Sequence, residues 1–173
     1  GLPYGTPGRG TPMHLAFELL NVESGTRFTH VPYKGGGPAT SDVLAGQIKI
    51  AVINAPPLMP HIRSGKLLAL AVMQGERSAL LADVPTLKEA TGIDGILAPA
   101  WFGFSAPAKV PAEVRARLEQ ELRRALAEPE VKSKLASSGL DVVALPAARM
   151  AEIIRSESVY NATAIKRLGF RPD

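Results

Sequence analysis

The 173 residues include no cysteine, which excludes disulfides, thiol nucleophiles and every thiolate-held zinc or iron–sulfur centre. Histidine is scarce too: His14, His30 and His61 are the three present. None is spaced for the close pairing that helical metal sites use, so each reads as an ordinary polar or half-buried side chain. No metal or cofactor is expected. Aromatic residues make up only 5%, and the 20 lysines and arginines form no basic run against the 16 acids. The net charge of +4 mildly favours anionic partners, but basic–aromatic interleaving is missing and no nucleic-acid partner is expected. Apolar stretches such as Leu67 to Met73 are far too short to span a bilayer. Gly1 to Thr11, rich in glycine and proline, shows no basic-then-apolar leader.

What is present is a chain that is 46% hydrophobic and long enough to bury a core. Apolar runs alternate with helix punctuation. Arg27–Val31, Ile48–Ile53, Leu67–Met73 and Trp101–Ala106 read as short buried strands, with Trp101 and Phe102 placed in the core. Thr11–Pro12 is an N-cap followed by proline at the first helical position, and Met13, Ala16, Phe17 and Leu20 keep helical spacing until Gly25. Gly37–Pro38 repeats the device before Ala39–Ala45. Further helices are expected over Pro56–Arg63 and Leu87–Thr91. After Ala106 the texture is strongly helical: one helix from Pro111 with Val114, Leu118, Leu122 and Leu126 on one face, a shorter one from Pro129 to Gly139, and a last one from Pro146 to Leu168. Glu113/Arg117, Glu119/Arg123 and the Glu128–Lys134 segment are spaced for i,i+4 pairing on solvated faces. Asp141–Leu145 is a brief strand candidate. The fold class is α/β with a mainly parallel sheet flanked by helices.

The most informative feature occurs twice. Gly8-Arg9-Gly10-Thr11-Pro12 and Gly35-Gly36-Gly37-Pro38 are glycine-rich turns that feed directly into proline-initiated helices. A helix start carries unpaired N–H groups and partial positive charge. Glycines let a ligand approach those groups without a Cβ in the way. Each loop is therefore a suitable cradle for a carboxylate or phosphate, and Arg9 adds a charge. Other patterns fail. Pro60 occupies the glycine position that a phosphate loop ending at Gly65-Lys66 requires, and Gly103-Phe104-Ser105 lacks the second glycine of a nucleophile elbow. Asn161-Ala162-Thr163 matches a glycosylation sequon inside an expected helix. Arg77 reads as a surface arginine. No nucleophile–base pair or carboxylate cluster can be assembled, so an enzyme is not expected.

His30-Val31-Pro32-Tyr33-Lys34-Gly35 resembles the Bug-type solute receptors, the extracytoplasmic binding proteins of tripartite tricarboxylate transporters. The resemblance continues through Asp42–Gln47, Pro60–Lys66, Leu70-Ala71-Val72, Arg77, Val84-Pro85-Thr86, Glu89-Ala90, Trp101-Phe102-Gly103 and Ala106-Pro107-Ala108. Leu126, Pro129 and Gly139 fall where that family breaks its C-terminal helices. The resemblance implies a lobe of a type-II periplasmic binding fold, a periplasmic location, and non-enzymatic capture of a small carboxylate for the transporter's membrane subunits. Dicarboxylates, tricarboxylates, acidic amino acids and aromatic acids are the implied ligand class. By position, residues 1–100 match the second lobe. Residues 101–173 match the crossover strand and C-terminal helices that normally return to the first lobe, which is absent here. The implied binding residues are Thr6, Gly8, Arg9, Gly10, Thr11, Tyr33, Gly35, Gly36, Gly37 and Asn54. Ile53 and Lys49 stand where many members carry acids. An alternative reading is an effector-sensing module that signals through a partner protein.

Overall fold

The computed structural model describes residues 1–170. A three-stranded parallel sheet has the order β2-β1-β3, formed by β1 (Pro3–Thr6), β2 (Thr29–Pro32) and β3 (Ile50–Ala51). Pro3 pairs with Thr29 and Thr6 with Pro32 on one side, while Tyr4 pairs with Ile50 on the other. The central strand is the one the sequence conceals, because Gly1-Leu2-Pro3-Tyr4-Gly5 reads as loop. Its glycine is a packing requirement: a Cβ on Gly5 would lie 2.5 Å from Ile48 Cδ1 and 2.9 Å from a Tyr33 ring carbon. Pro3 opens the strand, where proline is tolerated.

Neighbouring residues of a strand point to opposite faces. Tyr4 packs against Phe17 of α1 (Pro12–Ser24) with ring centroids 4.2 Å apart, whereas the Gly5 face meets Tyr33, whose hydroxyl bonds to Asp42 of α2 (Gly36–Leu44). The two helices thus cover opposite faces of β1. Thr11 caps α1 by accepting from His14 N at 3.4 Å, Pro12 follows, and Gly25 closes the helix in the left-handed region. α3 (Ala55–Arg63) follows β3, and α4 (Leu87–Thr91) opens with a complete Thr86/Glu89 capping box. The main core gathers Tyr4, Ala16, Phe17, Leu19, Leu20, Leu87 and Ile96, joined by Ala164 from the C-terminal helix.

Three expected strands do not form. Leu67–Met73 makes a single bridge, Val72 to Thr86, and Leu68 is 82% exposed. Its Leu/Ala composition packs poorly on a pleated surface, and among the described residues its pairing stops at the bonds of Val72 with Pro85 and Leu87 and of Met73 with Ala98. Trp101–Ala106 and Asp141–Leu145 are likewise irregular. Trp101 and Phe102 are 45% and 68% exposed rather than core, with the indole N–H donating to Glu157 at 2.9 Å.

The expected C-terminal helices are all present: α5 (Ala112–Ala127), α6 (Pro129–Ser137) and α7 (Ala147–Leu168). α6 is fastened to α3, where Arg63 donates to Ser137 O and buried Gly139 lies against Met59 and Pro56. α7 packs on α1, its Tyr160 hydroxyl bonding to Gly95 O and accepting from Leu97 N, and Arg167 pairing with Glu23. On α6 the expected Glu130–Lys134 pair forms, and on α5 the ion pair is Glu121–Arg124 at i,i+3. Arg77 lies on the surface, paired with Glu89. Among the described residues, no helix is long and apolar enough to cross a membrane.

Candidate functional site

All three strands of the parallel sheet run their carboxyl ends toward one edge, and each is followed there by a helix N-terminus. α1 and α2 leave to opposite faces, so the turns after the strands open at the carboxyl ends of the sheet, the side on which open α/β sheets bind ligands. The strand ladder continues past the end of β1: Tyr33 N donates to Thr6 O at 3.0 Å, and Gly35 N donates to Pro7 O at 2.8 Å. The two glycine-rich turns are therefore joined edge to edge. The third turn touches the second, since a Cβ on Gly36 would lie 2.9 Å from Ile53 Cγ2. Glycine at position 36 is what lets α2 start so close to β3.

The turns differ in how their amides are used. In the first, Gly8 N donates to Thr6 Oγ1 at 3.3 Å, Gly10 N to His14 Nδ1 at 3.0 Å, and Thr11 Oγ1 donates to Gly8 O at 2.8 Å. Thr6 is fully buried, and its hydroxyl serves Gly8 and His30. The loop is held from beneath by side chains. In the second, Gly36 and Gly37 occupy the first turn of α2, where N–H groups have no carbonyl partner within the helix. Gly37 is exposed. The third turn is poor in donors, because Pro56 and Pro57 stand in the first turn of α3. Here Asn54 Oδ1 is buried with no hydrogen-bond partner among the described residues.

Thr6, Gly8, Gly10, Thr11, Tyr33, Gly35, Gly36, Gly37 and Asn54 thus share one sheet edge. Tyr33 does not offer its hydroxyl outward; it donates to Asp42 at 2.7 Å. Burial and that carboxylate push the phenol up from its ordinary value. Arg9 is exposed, and its guanidinium lies 5.2 Å from the ring centroid of Phe170.

A constellation that sequence spacing does not show lies behind the first loop. His14 and His30, on α1 and β2, stack at 3.8 Å. Burial, the neighbouring His14 and Arg9 lower the pKa of His30 to about 4, with Glu18 opposing; burial also lowers His14. Both imidazoles are therefore neutral at pH 7. Tyr4 donates to Glu18 Oε1 at 2.5 Å, and burial followed by that carboxylate raises the phenol. Arg9, His14, Glu18, His30, Arg167 and Phe170 line a cleft of about 470 Å³. A second depression of about 500 Å³ runs along α5 past Glu119 and Arg123, away from the glycine turns. Among the described residues, no cluster of three metal-ligating side chains occurs.

Comparison with known proteins places this geometry in context. The family model described as tripartite tricarboxylate transporter family receptor matches residues 1–170. A protein from the tcbD-tcbE intergenic region of a Pseudomonas species is 32% identical over 157 residues, covering 91% of this chain and 47% of that protein. Protein BugT of Bordetella pertussis is 35% identical over 138 residues, covering 79% of this chain and 42% of its own. The chain spans about half the length of the curated relatives it matches. A solved structure described as a periplasmic transporter superposes with a TM-score of 0.89 at 32% identity, over 99% of this chain and 57% of that one. An R. palustris protein with adipate gives 0.87 at 28% identity, over 97% and 56%. MatC from Rhodopseudomonas palustris, with bound malate, gives 0.78 at 28%, over 94% and 56%.

Proposed function

The chain belongs to the tripartite tricarboxylate transporter receptor family, and from that premise we propose that it forms the carboxylate-binding lobe of a periplasmic solute receptor. It captures a small carboxylate non-enzymatically and delivers it to the membrane subunits of a transporter. The carrying observation is the junction of the two glycine turns through Tyr33 N–Thr6 O and Gly35 N–Pro7 O, which sets the α1 and α2 N-termini side by side. Of the two, the α2 mouth is the better donor. Gly36 and Gly37 supply amides and helix-end charge to a carboxylate, and the exposed Arg9 guanidinium stands on the adjoining turn. The first turn shapes the edge, with its Gly8 and Gly10 amides already engaged. The adipate and malate bound by structural neighbours are ligands of the same chemistry.

A carboxylate on this lobe alone stays half-wet, and hydrogen bonds there contribute only about 0.5–1.5 kcal/mol each. Tight capture requires the lobe that corresponds to the rest of the relatives' length, closing over the ligand so that binding shifts the population to the closed state. The exposed Trp101, Phe102, Val114 and Leu118 are apolar surface for that lobe to cover. Adipate and malate titrated into the ¹⁵N-labelled chain test the reading. The Gly36 and Gly37 amides should shift and saturate with a Kd no tighter than about 1 mM, roughly 4 kcal/mol. Shifts confined to other residues would overturn the site, and micromolar binding would show that the covering first lobe is dispensable.

A further inference from the structure

The Gly8–Gly10 turn owes its shape to a contact that only a neutral imidazole can make. A backbone N–H always donates, so the 3.0 Å bond from Gly10 N requires a lone pair on His14 Nδ1. The His14 proton then sits on Nε2, and the ring lies flat against His30 at 3.8 Å. His30 in turn meets Thr6 Oγ1 at 2.7 Å, and Thr6 holds both the N–H and the carbonyl of Gly8. The chain of contacts runs from two stacked imidazoles to both glycines of one loop.

We propose that His14 is a positioning residue that fixes the Gly8–Gly10 turn as a hydrogen-bond acceptor, and that protonating it releases the turn. Protonation replaces the acceptor with an N–H aimed at the Gly10 N–H. It also sets a cation against His30 and beside Arg9. The groups facing the ring decide when this happens. On α1 itself Glu18 favours the cation, but its carboxylate is engaged by the Tyr4 hydroxyl from β1 and by the Asn21 amide. Across the cleft, Arg9 from the loop and Arg167 from α7 are positive, Arg167 being paired with Glu23. Phe170 closes the remaining side, edge-on to His14 at 5.3 Å. Burial outweighs Glu18 and holds the His14 pKa below its ordinary value, so the turn stays fixed at neutral pH and loosens on acidification. The consequence for ligand capture rests on the reading of this edge as a carboxylate site. The coupling itself does not.

A ligand-free titration therefore tests it. The ¹⁵N-labelled chain is taken from about pH 7.5 to about pH 3.5 while backbone amide and imidazole nitrogen resonances are followed. At neutral pH, His14 Nδ1 should resonate as an unprotonated acceptor, and the Gly10 and Gly8 amides should move with the His14 titration. His14→Asn places an amide oxygen near the Nδ1 position. It should keep the Gly10 amide protected and abolish its pH dependence. His14→Phe removes the acceptor and should speed Gly10 hydrogen exchange about tenfold, the change that a bond of ordinary net strength sets. A Gly10 amide that ignores the His14 titration overturns the proposal, and so does unchanged exchange in His14→Phe. Should either variant fail to fold, the wild-type titration alone decides.

Discussion

Residues 1–98 and 99–170 spend their apolar side chains in opposite ways. In the first stretch Tyr4, Leu15, Phe17, Leu19, Leu20, Ile48, Met59, Leu87 and Ile96 are buried. In the second, Ala164 is the buried hydrophobic, while Trp101, Phe102, Phe104, Val143 and Val159 are exposed together with Val114 and Leu118 of α5. Both stretches are well patterned for helices, so the difference is not one of local propensity. The first encloses most of its apolar side chains around a parallel sheet, with Val22, Leu68 and Leu70 left exposed. The second forms no sheet among the described residues and leans on the first through α6 on α3, α7 on α1, and Tyr160 on Gly95 and Leu97. Patterning specifies which face of a helix is apolar, and a partner surface decides whether that face is buried.

The largest effect should come from the heart of the first stretch. Phe17 touches Tyr4 and Phe28 at centroid distances of 4.2 and 5.2 Å. Phe17→Ala should cost about 3–5 kcal/mol, a large share of the roughly 5–15 kcal/mol available to such a domain. Urea unfolding followed by circular dichroism measures it, and a cost below about 1 kcal/mol would deny that this cluster is the main core. Next comes the seam. A Cβ on Gly139 would lie 2.6 Å from Met59 Cγ and 3.2 Å from Pro56 Cα, and the residue sits at φ +84°. Gly139→Ala should therefore cost about 1–3 kcal/mol and raise hydrogen exchange in α6 ahead of α1. Uniform exchange in the two helices would show that the stretches open as one unit.

Acidification should also act through the first stretch, which holds both stacked histidines. The pKa of His30 falls from 6.5 to about 4 in the folded chain, so the unfolded chain binds more protons between these values. The stabilisation from keeping His30 neutral is complete above pH 6.5 and is lost as pH falls toward about 4. The urea midpoint should decline across that window, and His30→Gln, which cannot titrate, should flatten the decline. A midpoint independent of pH there would mean that the imidazole is solvated in the folded chain.

How far the sequence announced this architecture follows the same division. Caps and stops were legible because they act locally: Thr11–Pro12 opens α1 and Gly25 closes it, as their chemistry requires. The two glycine turns were legible as helix entrances. Their adjacency was not, since it depends on β1, whose Pro3 and Gly5 disguise a central strand. The histidine stack was invisible for the same reason, because register, not spacing, brings His30 beside His14. Leu67–Met73 and Trp101–Ala106 are short apolar runs that join no sheet among the described residues, and an apolar run cannot report a missing partner. Asn54 was legible as a polar group at a strand end, but the prolines that remove donors from α3 gain meaning only once the three turns meet.

The smallest expected effect separates the two stretches most sharply. Leu118 lies mid-face on α5 and is 47% exposed, so Leu118→Ser forfeits little transfer free energy. Serine's lower helix propensity adds only a few tenths of a kcal/mol. Unfolding in urea should shift by less than about 1 kcal/mol, against several for Phe17→Ala. The same substitution should reduce binding of an environment-sensitive apolar dye, because the leucine belongs to surface that this chain leaves open. Equal destabilisation by the two variants would mean that α5 is packed as tightly as α1. The exposed face would then be part of a core completed within the 173 residues, and the need for a covering lobe would disappear.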